Sequence, residues 1–151
     1  GRVSKVKNQG SEGYCWAFAS VASMESSILS QNDLKSKLGE NPQDTIDLSE
    51  AGQTWYIHSG IVDKSSPFYG DYINDSSKGS NGGTSDTLAI SLNSGFGTYP
   101  QSLCPYNEVK KGFSETLRYY SDYRLKDYSE ISNNKDTLKS KIVSNGAVTV
   151  H

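Results

Sequence analysis

The stretch Val6-Lys7-Asn8-Gln9-Gly10-Ser11-Glu12-Gly13-Tyr14-Cys15-Trp16-Ala17-Phe18 decides the reading of this chain. Up to Gly13 it is polar and turn-forming, rich in Gly and Ser. From Cys15 the pattern turns helical. Ala17, Val21, Met24 and Ile28 recur at spacings of four, three and four, and Phe18, Ala22 and Leu29 form a second stripe beside them. Two stripes make a wide apolar face, so the predicted helix is central and mostly buried. A cysteine therefore opens a buried helix, where unpaired N–H groups and the positive dipole end favour a thiolate. Gly10 and Gly13 let the preceding loop bend tightly and bring backbone close to a substrate. The side-chain amide of Gln9 is a donor that can point back at the sulfur. A thiolate, a backbone N–H and an amide donor together make a site for attack on a carbonyl, with the developing oxyanion stabilised. Taken singly, a cysteine at an apolar helix start is most often an inert buried residue. A glutamine in a loop is most often solvated, so the chemistry rests on the combination.

Outward from this stretch, Val3 and Val6 lie in a short extended opening. Residues 30–44 are polar and loop-like. Ser49 is a good N-cap for a second helix reaching about His58, with Gly60 as its stop. Residues 61–83 hold many Gly, Ser, Asn and Asp, a loop of a length usually reserved for functional or mobile segments. A third helix fits Thr84–Asn93, capped by Thr84 or Ser85 and ended by Gly95. Tyr119–Tyr128 has strand character. Asn134 caps a last helix in which Leu138 and Ile142 share a face and Gly146 is the stop, and Ala147–His151 reads as a strand. Helices first and strands late predict an α+β fold.

The composition narrows the functional classes. The 151 residues are 34% hydrophobic and 21% charged, which is ordinary for a globular protein, and they suit one domain or two small lobes. A net charge of −2 gives no electrostatic reason to expect a nucleic acid or an anionic membrane as partner. No apolar run approaches a membrane span. The pair Lys110-Lys111 reads as a solvated face. Two cysteines, Cys15 and Cys104, are too few for a disulfide scaffold, and their spacing fits no zinc motif. The start at Gly1 and the stop at His151, inside a strand-like run, point to truncation at both ends.

The Cys15 segment resembles the active-site stretch of papain-like cysteine peptidases, whose usual form is Cys-Gly-Ser/Ala-Cys-Trp/Tyr. Gln9 lies six residues before Cys15, and Cys15-Trp16-Ala17-Phe18 matches that family's run. Further pieces follow in the family's order. They are Leu48-Ser49-Glu50 at the second helix, Asn81-Gly82-Gly83 in the glycine stretch that lines the non-primed substrate subsites, the turn Tyr99-Pro100, and Gly146-Ala147-Val148-Thr149-Val150 as a strand of the second lobe. The departures are Glu12 and Ser80, which replace both halves of one family disulfide, and Tyr14, which replaces a small residue and by its bulk narrows the site. Glu12 also puts a negative charge near the thiolate, opposing its ionisation.

The resemblance implies an α+β, papain-like two-lobe fold, with a helical lobe over 1–107 carrying the nucleophile and an incomplete β-rich lobe over 108–151. It implies a cysteine-type endopeptidase working through a thioester acyl-enzyme. Cys15 is then the nucleophile, Gln9 the oxyanion-hole donor, and Gly82 and Gly83 a backbone edge that hydrogen-bonds an extended peptide. Peptide or protein substrates follow, with no metal or organic cofactor, and with room for a propeptide outside this chain. An extracellular or cell-surface location fits the missing disulfide halves and enlarged loops. Such an enzyme needs a histidine base and an Asn to orient it. His151 stands at the family's usual distance from Cys15, but the extra loops have consumed that distance and place it on an earlier strand. His58 reads as a surface or packing residue. The base and its Asn are therefore expected beyond residue 151, and the fragment alone is expected to be inactive. One alternative is a non-catalytic papain-like surface binding module, supported by Tyr14 and Glu12. A second is a thiol redox protein using Cys15 and Cys104. Asn74-Asp75-Ser76 matches a glycosylation sequon, a triplet that also arises by chance.

Overall fold

The computed structural model describes residues 1–71 and 82–150. The sequon at Asn74, the loop residue Asn81 and the candidate base His151 lie outside the described residues. The central element is α1, Cys15–Ser30, which runs through the middle of the packing as its two apolar stripes require. After it come two single-turn helices, α2 (Asn32–Lys35) and α3 (Pro42–Thr45), with a 3-10 turn at Ser36–Leu38 between them. The segment read as loop is thus partly helical, in pieces too short to carry an apolar period. Helix α4 (Glu50–His58) starts where Ser49 accepts the Gly52 N–H, and α5 (Ser85–Asn93) where Thr84 accepts the Thr87 N–H. Two more 3-10 turns, Tyr106–Glu108 and Glu115–Leu117, precede α6, Lys135–Asn145.

Two apolar clusters fasten α1. Toward α4 and α5, Trp16 and Ala17 meet Ile57, Leu88 and Leu92. On its other side Val21, Ile28 and Leu29 meet Ile46 and Leu48. A valine, leucine or isoleucine fully buried in this way contributes about 1.5–3 kcal/mol. One cluster of buried charge lies beside α1. Lys7 Nζ lies 2.9 Å from Glu25, 3.1 Å from Glu50 and 2.9 Å from Asp47, and donates to the Leu48 carbonyl at 2.6 Å. Both glutamates are buried, so one lysine ties the extended opening to α1 and α4. Arg118, also buried, donates to Tyr56 O and Gly60 O, where the negative end of the α4 dipole favours a cation.

Among the described residues the expected β-rich lobe does not form. Among the described residues no strand ladder forms, and extended pairing is limited to isolated bridges such as Leu48 with Pro100. The α+β expectation is therefore corrected to a helical fold, and the reason lies in where the two strand-like runs find hydrogen bonds. In Tyr119–Tyr128, the hydroxyl of Thr98 accepts from Tyr123 N and donates to Tyr123 O. In the last run, Ala147 N donates to Ser26 Oγ at 2.9 Å, and Ser23 Oγ donates to Ala147 O at 3.0 Å. Single hydroxyls of Thr98, Ser23 and Ser26 offer no free row of backbone groups, and Tyr119 lies in a turn with Asp122 and Tyr123 in a bend, so neither run joins a sheet among the described residues. No described helix is long and apolar enough to cross a membrane.

Candidate active site

Cys15 is the first residue of α1 and is exposed, with its thiol free. Tyr14, the residue before it, makes no side-chain cap, and its carbonyl accepts from Ala17 N and Phe18 N. The Cys15 N–H stands in the first turn, where a helix provides no acceptor of its own. Tyr14 does not narrow the site. Its ring is buried with Ala51 and Val109 and sits edge-on to Tyr106, because an aromatic ring gains more by joining that cluster than by facing water.

Gln9 is half-buried on the loop that leads to Cys15. The sequence reading aims its amide at the sulfur. In the structure Nε2 donates to the Glu12 carbonyl at 2.8 Å, closing the loop on itself. A primary amide has two N–H donors, so one remains for another acceptor. The Gln9 carbonyl accepts from the Tyr106 hydroxyl at 2.7 Å, and Gly10 N donates to Asn8 Oδ1 with Gly10 at φ 66°. Glu12 does not stand as an isolated charge. Its carboxylate pairs with Lys110 at 2.7 Å, so one lysine of the pair read as solvated has a partner at the site, while Lys111 pairs with Glu108.

Gly82 and Gly83 lie near the same end of α1. Gly83 packs its backbone directly on the Trp16 indole: a Cβ added there would lie 2.6 Å from the ring, so no larger residue fits. Gly82 holds φ at 109°, a conformation that strongly favours glycine. Trp16 is the residue after Cys15, so chain continuity and this contact bring the diglycine backbone close to Cys15. On its other side Trp16 meets His58 edge-on at 6.0 Å. His58 is buried, in keeping with a packing role. Cys104 is buried and free, and burial pushes its thiol up to about 11, the behaviour of an inert core cysteine.

An exposed thiol thus opens a buried helix, with the Gln9 amide on the loop before it and the Gly82–Gly83 backbone against Trp16 beside it. A family model described as papain family cysteine protease matches residues 1–151, and the chain belongs to that family. It is thus placed among thiol proteases, whose substrates are proteins and peptides. Tyr106 and Lys110 are site residues that sequence reasoning missed. Their partners Gln9 and Glu12 are about a hundred positions earlier, and no local pattern signals such a contact.

Proposed function

We propose that this protein is an endopeptidase that cleaves peptide bonds through a thioester on Cys15. The Cys15 thiolate attacks the scissile carbonyl carbon, and the oxyanion is held by the Cys15 N–H and the remaining N–H of the Gln9 amide. The C–N bond then breaks, and the amine leaves with a proton from an imidazolium. Water hydrolyses the thioester, releasing the carboxylate product and restoring the thiolate. The Gly82–Gly83 backbone pairs with an extended substrate, which needs an edge free of side chains. The imidazole comes from outside the described residues, because His58 is walled into the core beside Trp16.

The observation that carries this reading is an exposed Cys15 at the head of α1 in a chain of the papain family. The binding-module alternative leans on Tyr14 and Glu12, but Tyr14 is buried away from the site and Glu12 is ion-paired. The test is to label the full-length protein with a peptidyl epoxide or fluoromethyl ketone and locate the adduct by mass spectrometry. Modification is expected at Cys15, and Cys15→Ala should lower hydrolysis by at least about 10⁴-fold. An unlabelled Cys15 under reducing conditions would overturn the proposal.

A further inference from the structure

We infer that Tyr106 is a positioning residue that sets the separation of the two oxyanion donors; this rests on the peptidase reading above. Its ring and its hydroxyl touch different halves of the site. The ring stands edge-on to Tyr14 at 6.1 Å and to Phe18 at 5.0 Å, the residues one before and three after Cys15. Those contacts fix Tyr106 to the start of α1, which carries the Cys15 N–H. The hydroxyl donates at 2.7 Å to the carbonyl of Gln9, the residue that carries the other donor. One rigid side chain therefore spans the two groups that must hold the same oxygen.

The span has a second fastening. Lys110, four residues further on, pairs with Glu12, whose carbonyl accepts the Gln9 amide. The segment from Tyr106 to Lys110 thus grips the loop at Gln9 and at Glu12. Burial pushes the Tyr106 hydroxyl up to about 12, helped by Tyr14 and by the carboxylates of Glu12 and Glu50, so it stays a donor wherever the enzyme works. Oxyanion stabilisation demands donors placed before the charge develops, and a loop held only by its own turn would leave the Gln9 amide free to drift. The alternative is that Tyr106 merely supports the fold.

A double-mutant cycle in the full-length protein separates the two. Tyr106→Phe keeps the ring contacts and removes only the hydroxyl. It should lower kcat about three- to tenfold, the worth of one neutral hydrogen bond, with KM little changed. Gln9→Ala should itself lower kcat about 10²–10³-fold. On that background Tyr106→Phe should have no further effect, because its action passes through Gln9. Alkylation of Cys15 by iodoacetamide involves no oxyanion and should be unchanged in Tyr106→Phe. Equal losses on both backgrounds, unchanged kcat, or a change confined to KM would overturn the inference while leaving the peptidase reading intact. Absence of turnover in the parent protein would instead sink that reading, and the inference with it.

Discussion

Helices α1 and α6 make a useful pair. Eight of the 16 residues of α1 are buried, and none of the 11 of α6 is, so the two are stabilised by different means. Helix α1 has no side-chain cap and relies on the clusters around Val21 and Trp16. Helix α6 has little packing and relies on its ends. Asn134 accepts from Asp136 N and Thr137 N, and Gly146 turns the chain at φ 97° against Ser26 of α1. Cys15 sits on the helix fixed by tertiary packing. Under the peptidase proposal that is the right place for a reacting group, because its helix is locked by packing.

The largest test of that contrast is the charge cluster beside α1. Lys7→Met leaves Glu25 and Glu50 buried without their cation, and should cost about 3–5 kcal/mol. The pH dependence follows from two groups. Burial pulls Lys7 down, but Glu50, Glu25 and Asp47 more than restore it, so its net position is raised. Its contribution is complete below the unfolded value and is lost as pH rises through the folded one. Burial raises Glu50 while Lys7 opposes it, so the ionised form is disfavoured on folding and Glu50 becomes less of a burden as pH falls. Without Lys7 that burden grows. The Tm gap between parent and variant should therefore be widest near about pH 7 and narrow toward about pH 4. A gap that widens in acid would show that the cluster is not what anchors α1.

A smaller effect sharpens the same contrast. Leu29→Ala in α1 should cost about 3 kcal/mol by chemical denaturation, since Leu29 is sealed among Ile46 and Leu48. Ile142→Ala in α6 should stay within about 0.5 kcal/mol, because Ile142 is already 48% exposed. Similar losses at both positions would erase the distinction.

The sequence showed the helix boundaries well because each rests on a local bond. Ser49, Thr84 and Asn134 cap as their chemistry predicts, and Gly146 closes α6 as expected. The head of α1 was legible for the same reason, as a polar turn meeting a helical period at Cys15. Burial of α6 was not legible. Leu138 and Ile142 recur at helical spacing, but spacing shows which residues share a face and not whether anything covers it. The strand readings at Tyr119–Tyr128 and Ala147–His151 failed likewise: β character in a run says nothing about the partner, and here the described backbone groups of those runs meet Thr98, Ser23 and Ser26. In the candidate site, Cys15 and Gln9 stood out by proximity in sequence. The inward turn of Tyr14 and the bond from Tyr106 to Gln9 depend on contacts that only the folded chain makes.

The smallest prediction probes α6 alone. An 11-residue helix in water is marginal, so α6 persists through its caps and through the few bonds that tether its C-terminal end to α1. Asn134→Ala removes an acceptor from two backbone N–H groups and should cost about 1 kcal/mol. Because no residue of α6 is fully buried, that loss should fall on local opening and hardly at all on global unfolding. Amide exchange in Leu138–Asn145 should accelerate about fivefold, while the amides of α1 and the denaturation midpoint stay close to the parent values. If α1 and α6 instead lost protection together, α6 would be part of the cooperative unit that holds Cys15, and a cap more than a hundred residues away would bear on that thiol.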